Sequence, residues 1–182
     1  MKKFCLILVL LLLLLGCQEK IVYDSPQTSV SDMSGYGLQS EQFYTLTIEE
    51  FLDLIAQKKT IIVYFGYEGC PWCTDLLPIL NEVSIEKGLL LYYIDFHDEK
   101  NMNDIEGLEK IEELAADLME EDEQGQLKLY FPTVYYVQKG TIIQLHQGTV
   151  SGHDASLNDL TEKQKARLKY NLEKEFDNLF KE

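Results

Sequence analysis

Ile61-Ile62-Val63-Tyr64-Phe65, then Gly66-Tyr67-Glu68-Gly69, then Cys70-Pro71-Trp72-Cys73: this stretch decides how the rest of the chain is read. With Thr60 before it, the first run is nearly all apolar, as in a strand buried on both faces of a mixed or parallel sheet. The glycine-bounded loop hands over to residues of helical pattern. A Cys-x-x-Cys pair at a strand-to-helix junction suits dithiol–disulfide chemistry. The first N–H groups of a helix have no partner within it and carry partial positive charge. A thiol placed there loses its proton more easily, and the thiolate is the nucleophile. Cys70 is expected at an exposed helix start, with Cys73 one turn deeper.

Upstream, Thr47-Ile48-Glu49-Glu50 has capping-box form, and Ile48, Phe51, Leu52 and Ile55 recur at helical spacing. This predicts a helix over 47–58. Downstream, Leu76, Leu77, Ile79, Leu80 and Val83 form the apolar set of the helix opened by Cys70. Pro78 should kink it and Gly88 should end it. Leu89–Asp95 reads as a second buried strand. Residues 101–123 read as one helix with an acidic outer face, fraying over 120–125. Leu127–Gln138 reads as a strand region interrupted by Pro132, which suits a strand start, edge or bulge. Lys139-Gly140 turns the chain into a returning strand over 141–147, and 160–180 closes it with a helix carrying Leu168, Leu172, Phe176 and Leu179. The order is an α/β pattern with helices on both faces of a central sheet.

At 182 residues, 46% hydrophobic, the chain has room for one packed domain with appendages. Its net charge of −15 argues against nucleic acid, whose phosphates demand lysine and arginine, and against a basic patch on an anionic membrane. The four cysteines are Cys5, Cys17, Cys70 and Cys73. The first two fall in a targeting segment, so no further thiol remains for a four-thiolate zinc site. His97, His146 and His153 have no ligand spacing to the pair, and each reads as a surface or loop histidine. No metal is expected.

Residues 1–16 run from Lys2-Lys3 through apolar Phe4–Leu15 to Gly16. Twelve apolar residues at 1.5 Å per residue are too short for a ~30 Å hydrocarbon core, so the segment reads as a secretory signal. Leu14-Leu15-Gly16-Cys17 resembles the lipobox of bacterial lipoproteins. That resemblance implies cleavage before Cys17, its acylation, and a place on the extracytoplasmic face of the cell membrane. Residues 17–42 read as a flexible tether, about 25 residues with a reach of roughly 25–30 Å. Within it, Tyr36–Phe43 has the alternative of packing as an edge strand. The folded domain is then 43–182, with an acidic helical insertion near 100–125.

The order of elements, with Cys-x-x-Cys after the first buried strand and a proline opening a later hairpin, resembles the thioredoxin fold. Cys73-Thr74-Asp75-Leu76-Leu77-Pro78 looks like its active-site helix, with the kinking proline five residues after the second cysteine. Phe131-Pro132-Thr133 looks like its cis-proline hairpin. The Tyr-Phe-Gly lead-in and Cys-Pro-aromatic-Cys centre resemble bacteriocin transport accessory-type lipoproteins. The resemblance implies a thiol–disulfide oxidoreductase with Cys70 as nucleophile and Cys73 as resolving thiol. Its redox centre would be the Cys70–Cys73 disulfide, without a further cofactor. Its partners would be a protein or peptide disulfide and a redox partner that recycles the dithiol. Pro132 is expected to be cis, setting the Phe131 and Thr133 backbone beside Cys70 for a substrate strand. Trp72 is either a substrate contact or packing on the Pro132 loop. Thioredoxins place a buried carboxylate six residues before the first cysteine, where this chain has Tyr64; the proton of Cys73 would then leave through water or more slowly. The rival reading is a non-catalytic lipoprotein of the same fold that docks a transporter or a secreted peptide.

Overall fold

The computed structural model describes residues 21–119, 127 and 129–181. The signal segment, Cys17 and residues 120–126 lie outside the described residues. Five strands form one sheet: β1 Phe43–Thr45, β2 Ile61–Gly66, β3 Leu91–Asp95, β4 Thr133–Gln138 and β5 Thr141–Gln147. Their order is β1-β3-β2-β4-β5. β1 and β2 run parallel to β3, and β4 runs antiparallel to both β2 and β5.

Side chains alternate across the strands and build a core on each face. Phe43, Ile62, Tyr64, Tyr93, Val134 and Tyr136 point to one side. There they meet α2, Pro71–Lys87, and α5, Glu162–Asn178. Ile61, Val63, Phe65, Tyr92, Ile94 and Tyr135 point to the other. That side is covered by α1, Ile48–Ala56, and α4, Ile105–Ala115, preceded by a short α3, Glu99–Asn103. This is the thioredoxin-like fold, a mixed sheet between two helical layers. Among the described residues, no helix is long and apolar enough to cross a membrane.

Local signals set most boundaries. Thr47 and Glu50 form the capping box of α1 reciprocally. Thr161 and Gln164 do the same for α5. Gly88 ends α2 with φ 65°, a left-handed conformation that glycine adopts without a Cβ clash.

Three expectations are corrected. The acidic helix is not continuous: Asp104 leaves the helical conformation and its carboxylate accepts from the Gly107 amide at 3.0 Å. An aspartate offers the backbone this competing bond, so α3 stops and α4 is capped anew. The ladder of the third strand region begins only at Thr133, after the Phe131–Pro132 peptide, which is cis.

Residues 21–42 are not a free tether. Asp24 takes the Thr60 amide on Oδ2 at 2.8 Å, gives its own amide to the Thr60 carbonyl, and pairs with Lys59 at 3.0 Å. Ser31 and Thr45 amides donate to Phe43 and Ser29 carbonyls, and Val30 bridges Tyr44. Ile21 and Met33 are buried. The reason is twofold: β1 would otherwise leave an open sheet edge, and scattered apolar residues (Ile21, Tyr23, Met33, Tyr36, Leu38) find the core without helical or strand periodicity.

Candidate active site

The site is assembled where β2 ends. Tyr67-Glu68-Gly69 turns away from the sheet, with Gly69 at φ 88°. Cys70 then occupies the N-cap of α2 in extended conformation, and Pro71 follows at the first helical position, where a missing N–H costs nothing. The Cys70 sulfur accepts the Cys73 amide at 3.2 Å. It thus does what a serine or aspartate oxygen does at other helix starts. The first turn carries no acidic residue, so the positive end of the helix acts on the sulfur alone.

The two thiols are reduced and split in character. The Cys73 side chain facing it, and then the amides of Cys73 and Trp72, lower Cys70 below the ordinary thiol range against the opposing effect of burial. Cys73 is pushed up by the Cys70 sulfur first and by burial second. The pair therefore gives up the Cys70 proton first and holds the Cys73 proton longest. Cys70 is 2% exposed, less than its expected place at an open helix start. Its sulfur turns inward to the Cys73 amide and lies 3.9 Å from the Phe131 carbonyl.

Phe131 and Pro132 are brought to Cys70 as the sequence suggests, the former held by rings of Phe65, Tyr67 and Phe96. Trp72 is half-buried and lines a groove of about 480 Å³ with Tyr130, Phe131, Gln147 and Gly148. Thr133 is not a surface contact: it is fully buried, in register between Phe65 of β2 and Gln147 of β5. Its hydroxyl serves the turn by donating to the Tyr130 carbonyl.

Behind Cys73 stands Tyr64, which sequence reading noted only as a missing carboxylate. Its hydroxyl is buried and makes no hydrogen bond among the described residues. Gly66, two residues on and so on the same face of β2, accommodates it. A Cβ there would lie 2.2 Å from the Tyr64 hydroxyl oxygen. Tyr93 stacks on Tyr64 with centroids 5.5 Å apart, and Tyr36 of the N-terminal segment meets the Tyr93 hydroxyl at 2.8 Å. The Tyr64-x-Gly66 spacing was visible in the sequence; the arrival of Tyr36 was not. No group of three or more His, Cys, Asp or Glu is placed to hold a metal ion among the described residues.

Fold and site together define a thioredoxin-fold protein with a dithiol centre facing a cis-proline. No protein-family model matches the chain, and no curated protein sequence matches it. Among solved structures, thioredoxin O1 from Arabidopsis thaliana is similar at 16% identity and TM-score 0.46, over 77% of this chain and 99% of its own. Thioredoxin O2 from the same plant is similar at 16% and 0.45, over 77% and 96%. The oxidised thioredoxin of Plasmodium falciparum stands at 18% and 0.40, over 74% and 96%.

Proposed function

We propose that the chain is a thiol–disulfide oxidoreductase, acting on disulfides or dithiols of secreted or surface proteins. What carries this reading is the Cys70 sulfur held by the Cys73 amide at the start of α2, with the Phe131 carbonyl before the cis-proline 3.9 Å away. In the reducing direction the Cys70 thiolate attacks one sulfur of a substrate disulfide. That S–S bond breaks, one substrate thiolate leaves, and a mixed disulfide remains on Cys70. Cys73 then loses its proton and attacks the Cys70 sulfur. The second substrate thiolate leaves, the Cys70–Cys73 disulfide forms, and two electrons have passed to the substrate. A redox partner reduces the disulfide again, and the reverse sequence oxidises a substrate dithiol. Trp72 and the Phe131 backbone are the proposed substrate contacts beside the groove.

The place of action is proposed from the terminus: Lys2-Lys3, the apolar run and Gly16-Cys17 support a lipid on Cys17 and an extracytoplasmic position at the membrane. The likeness to bacteriocin transport accessory lipoproteins belongs to the same proposal.

The test uses the full chain with insulin as the disulfide substrate. Cys70→Ser should abolish reduction, and Cys73→Ser should accumulate a mixed disulfide on Cys70. Reduction unchanged by both substitutions would sink the enzyme reading. An inactive wild type that still captures a transporter or secreted peptide would favour the docking lipoprotein.

A further inference from the structure

The net charge of −15 argues against a basic membrane patch for the chain as a whole, but the fold does not spread that charge evenly. Lysines collect at the end of the sheet where β2 starts. Lys58 and Lys59 join α1 to β2. Lys139 stands in the β4–β5 turn, where its amide donates to the Thr60 hydroxyl and the Gly140 amide to the Lys59 carbonyl. Lys87 closes α2 just before β3, which runs parallel to β2 and so starts at the same end. Lys181 follows α5. Its carbonyl and that of Leu179 accept from the Gln138 side chain, at the end of β4, at 2.9 and 2.7 Å.

Asp24 and Asp177 pair with Lys59 and Lys87. Lys181 rests its amine on the uncharged Asn178 side chain at 2.6 Å, and Lys58 makes no ion pair among the described residues. This end is therefore basic among the described residues. The loops flanking the dithiol, at the other end, carry Glu68, Asp95 and Asp98. The six residues of β2 hold the two ends further apart than the Debye length, ~8 Å at physiological salt. A surface laid against the basic end feels the lysines and is screened from the distant carboxylates.

Two apolar side chains emerge at the same end. Val22 is 70% exposed and Phe180 is 40% exposed, the latter with its ring 6.4 Å from that of Tyr23, centroid to centroid. The described chain also begins here, at Ile21, four positions after Cys17. Resting on the lipid anchor proposed at Cys17, we propose that this end of the domain is a docking surface for anionic phospholipid. Lys58, Lys139 and Lys181 meet the headgroup phosphates, and Val22 and Phe180 reach the acyl boundary, the pairing of basic and apolar groups that suits a bilayer interface. A polyanion in water would satisfy the lysines and leave both apolar side chains wet. A lipid on Cys17 by itself holds the domain near the membrane in any orientation; the lysines select one face.

The depth of position 180 reports the docking. The full chain carries Trp72→Phe and Phe180→Trp, so that its single tryptophan sits on the proposed surface. Purified from bacterial membranes with its anchor, it is reconstituted into vesicles of brominated phosphatidylcholine with or without phosphatidylglycerol. Emission should be quenched with phosphatidylglycerol. It should recover when that lipid is omitted, or when salt is raised to about 1 M and the Debye length falls to ~3 Å. Each lysine at an anionic surface favours contact about fivefold, so Lys58→Gln/Lys139→Gln/Lys181→Gln should lower the ratio of docked to undocked chain on the order of 10²-fold. The quench should then be lost. Lys100→Gln/Lys110→Gln/Lys163→Gln makes the same charge change on exposed lysines of α3, α4 and the first turn of α5, and should preserve the quench.

An anchored chain that stays unquenched with phosphatidylglycerol overturns the docking surface. So does equal quenching in phosphatidylcholine alone, or equal loss from both triple variants. Amine-reactive cross-links between copies through Lys181, in place of the quench, assign the face to a second copy and overturn the lipid. The lipid and salt comparisons use one chain, so they decide even where the urea midpoint shows a triple variant to be unstable. A full chain recovered from the soluble fraction without a lipid on Cys17 overturns the anchor reading, and the docking with it.

Discussion

Tyr36 and Tyr93 meet hydroxyl to hydroxyl at 2.8 Å across 57 positions of chain. Their rings cross edge to face with centroids 6.1 Å apart. This contact joins the N-terminal segment to the third strand beside the dithiol, and makes that segment part of the domain.

The segment should therefore contribute stability as a core element does. Met33 is 2% exposed in the same cluster as Leu76, Leu80 and Phe176. Met33→Ala should cost about 2–5 kcal/mol in urea unfolding, the range for a truncated buried methionine. A free tether would give a change within about 0.5 kcal/mol.

The split between the thiols should appear as a peak of stability with pH. Cys70 is lowered, chiefly by the Cys73 side chain, so its ionised form favours the reduced fold. That contribution is complete above the unfolded thiol value of ~8.5 and is lost as pH falls through the folded value. Cys73 is raised, chiefly by the Cys70 sulfur, so its contribution is complete below ~8.5 and fades as pH rises above it. Relative to Cys70→Ser/Cys73→Ser, the urea midpoint of the reduced protein should be highest near ~8.5. Iodoacetamide alkylation of Cys70 should titrate below that value; a midpoint above it would contradict the geometry.

Gly66→Ala should destabilise without touching either cysteine. Its Cβ would stand 2.2 Å from the Tyr64 hydroxyl and 2.6 Å from the adjoining ring carbon, and the phenol is enclosed by core. A loss of about 1–3 kcal/mol is expected, as for overpacking elsewhere, measured by the denaturant midpoint.

Asn101 should prove the polar staple of the insertion. It is 3% exposed, accepts the Ile48 amide at 3.0 Å and donates to the Asp95 carbonyl at 2.8 Å. It therefore ties α3 to both the first turn of α1 and the end of β3. Asn101→Ala strands both groups and should cost about 1–3 kcal/mol. Calorimetric unfolding would show no change if the contacts were incidental.

Much of this was legible in the sequence because it depends on neighbours along the chain. The Thr47–Glu50 box, Gly88 and the Lys139-Gly140 turn each act within a few residues, and each sits where its chemistry demands. The strands were legible from uninterrupted apolar runs. The Thr161–Gln164 box was equally local and went unread. What stayed hidden depends on distant partners. The N-terminal segment is polar on average, and only Thr60, Phe43 and Tyr93 on other elements give its amides and rings a place. Asp104 is one acid among many until its carboxylate turns back to Gly107. Thr133 looked available as a substrate contact because the returning β5 strand that covers it had no register until the sheet closed. Cys70 looked exposed for the same reason, since the cis-proline loop that covers it is 61 residues away.

The docking of Asp24 on Thr60 also fixes a geography. Thr60 precedes the first residue of β2, whereas Cys70 follows its last, and six strand residues at ~3.3 Å set the two ends roughly 20 Å apart. The chain departs at Ile21, only four residues beyond Cys17, a span of at most ~14 Å fully extended. A lipid on Cys17, as proposed, would therefore attach the domain at the pole opposite the dithiol and turn the dithiol away from the bilayer. Its clients would then be soluble chains arriving from outside and not loops emerging from the membrane surface.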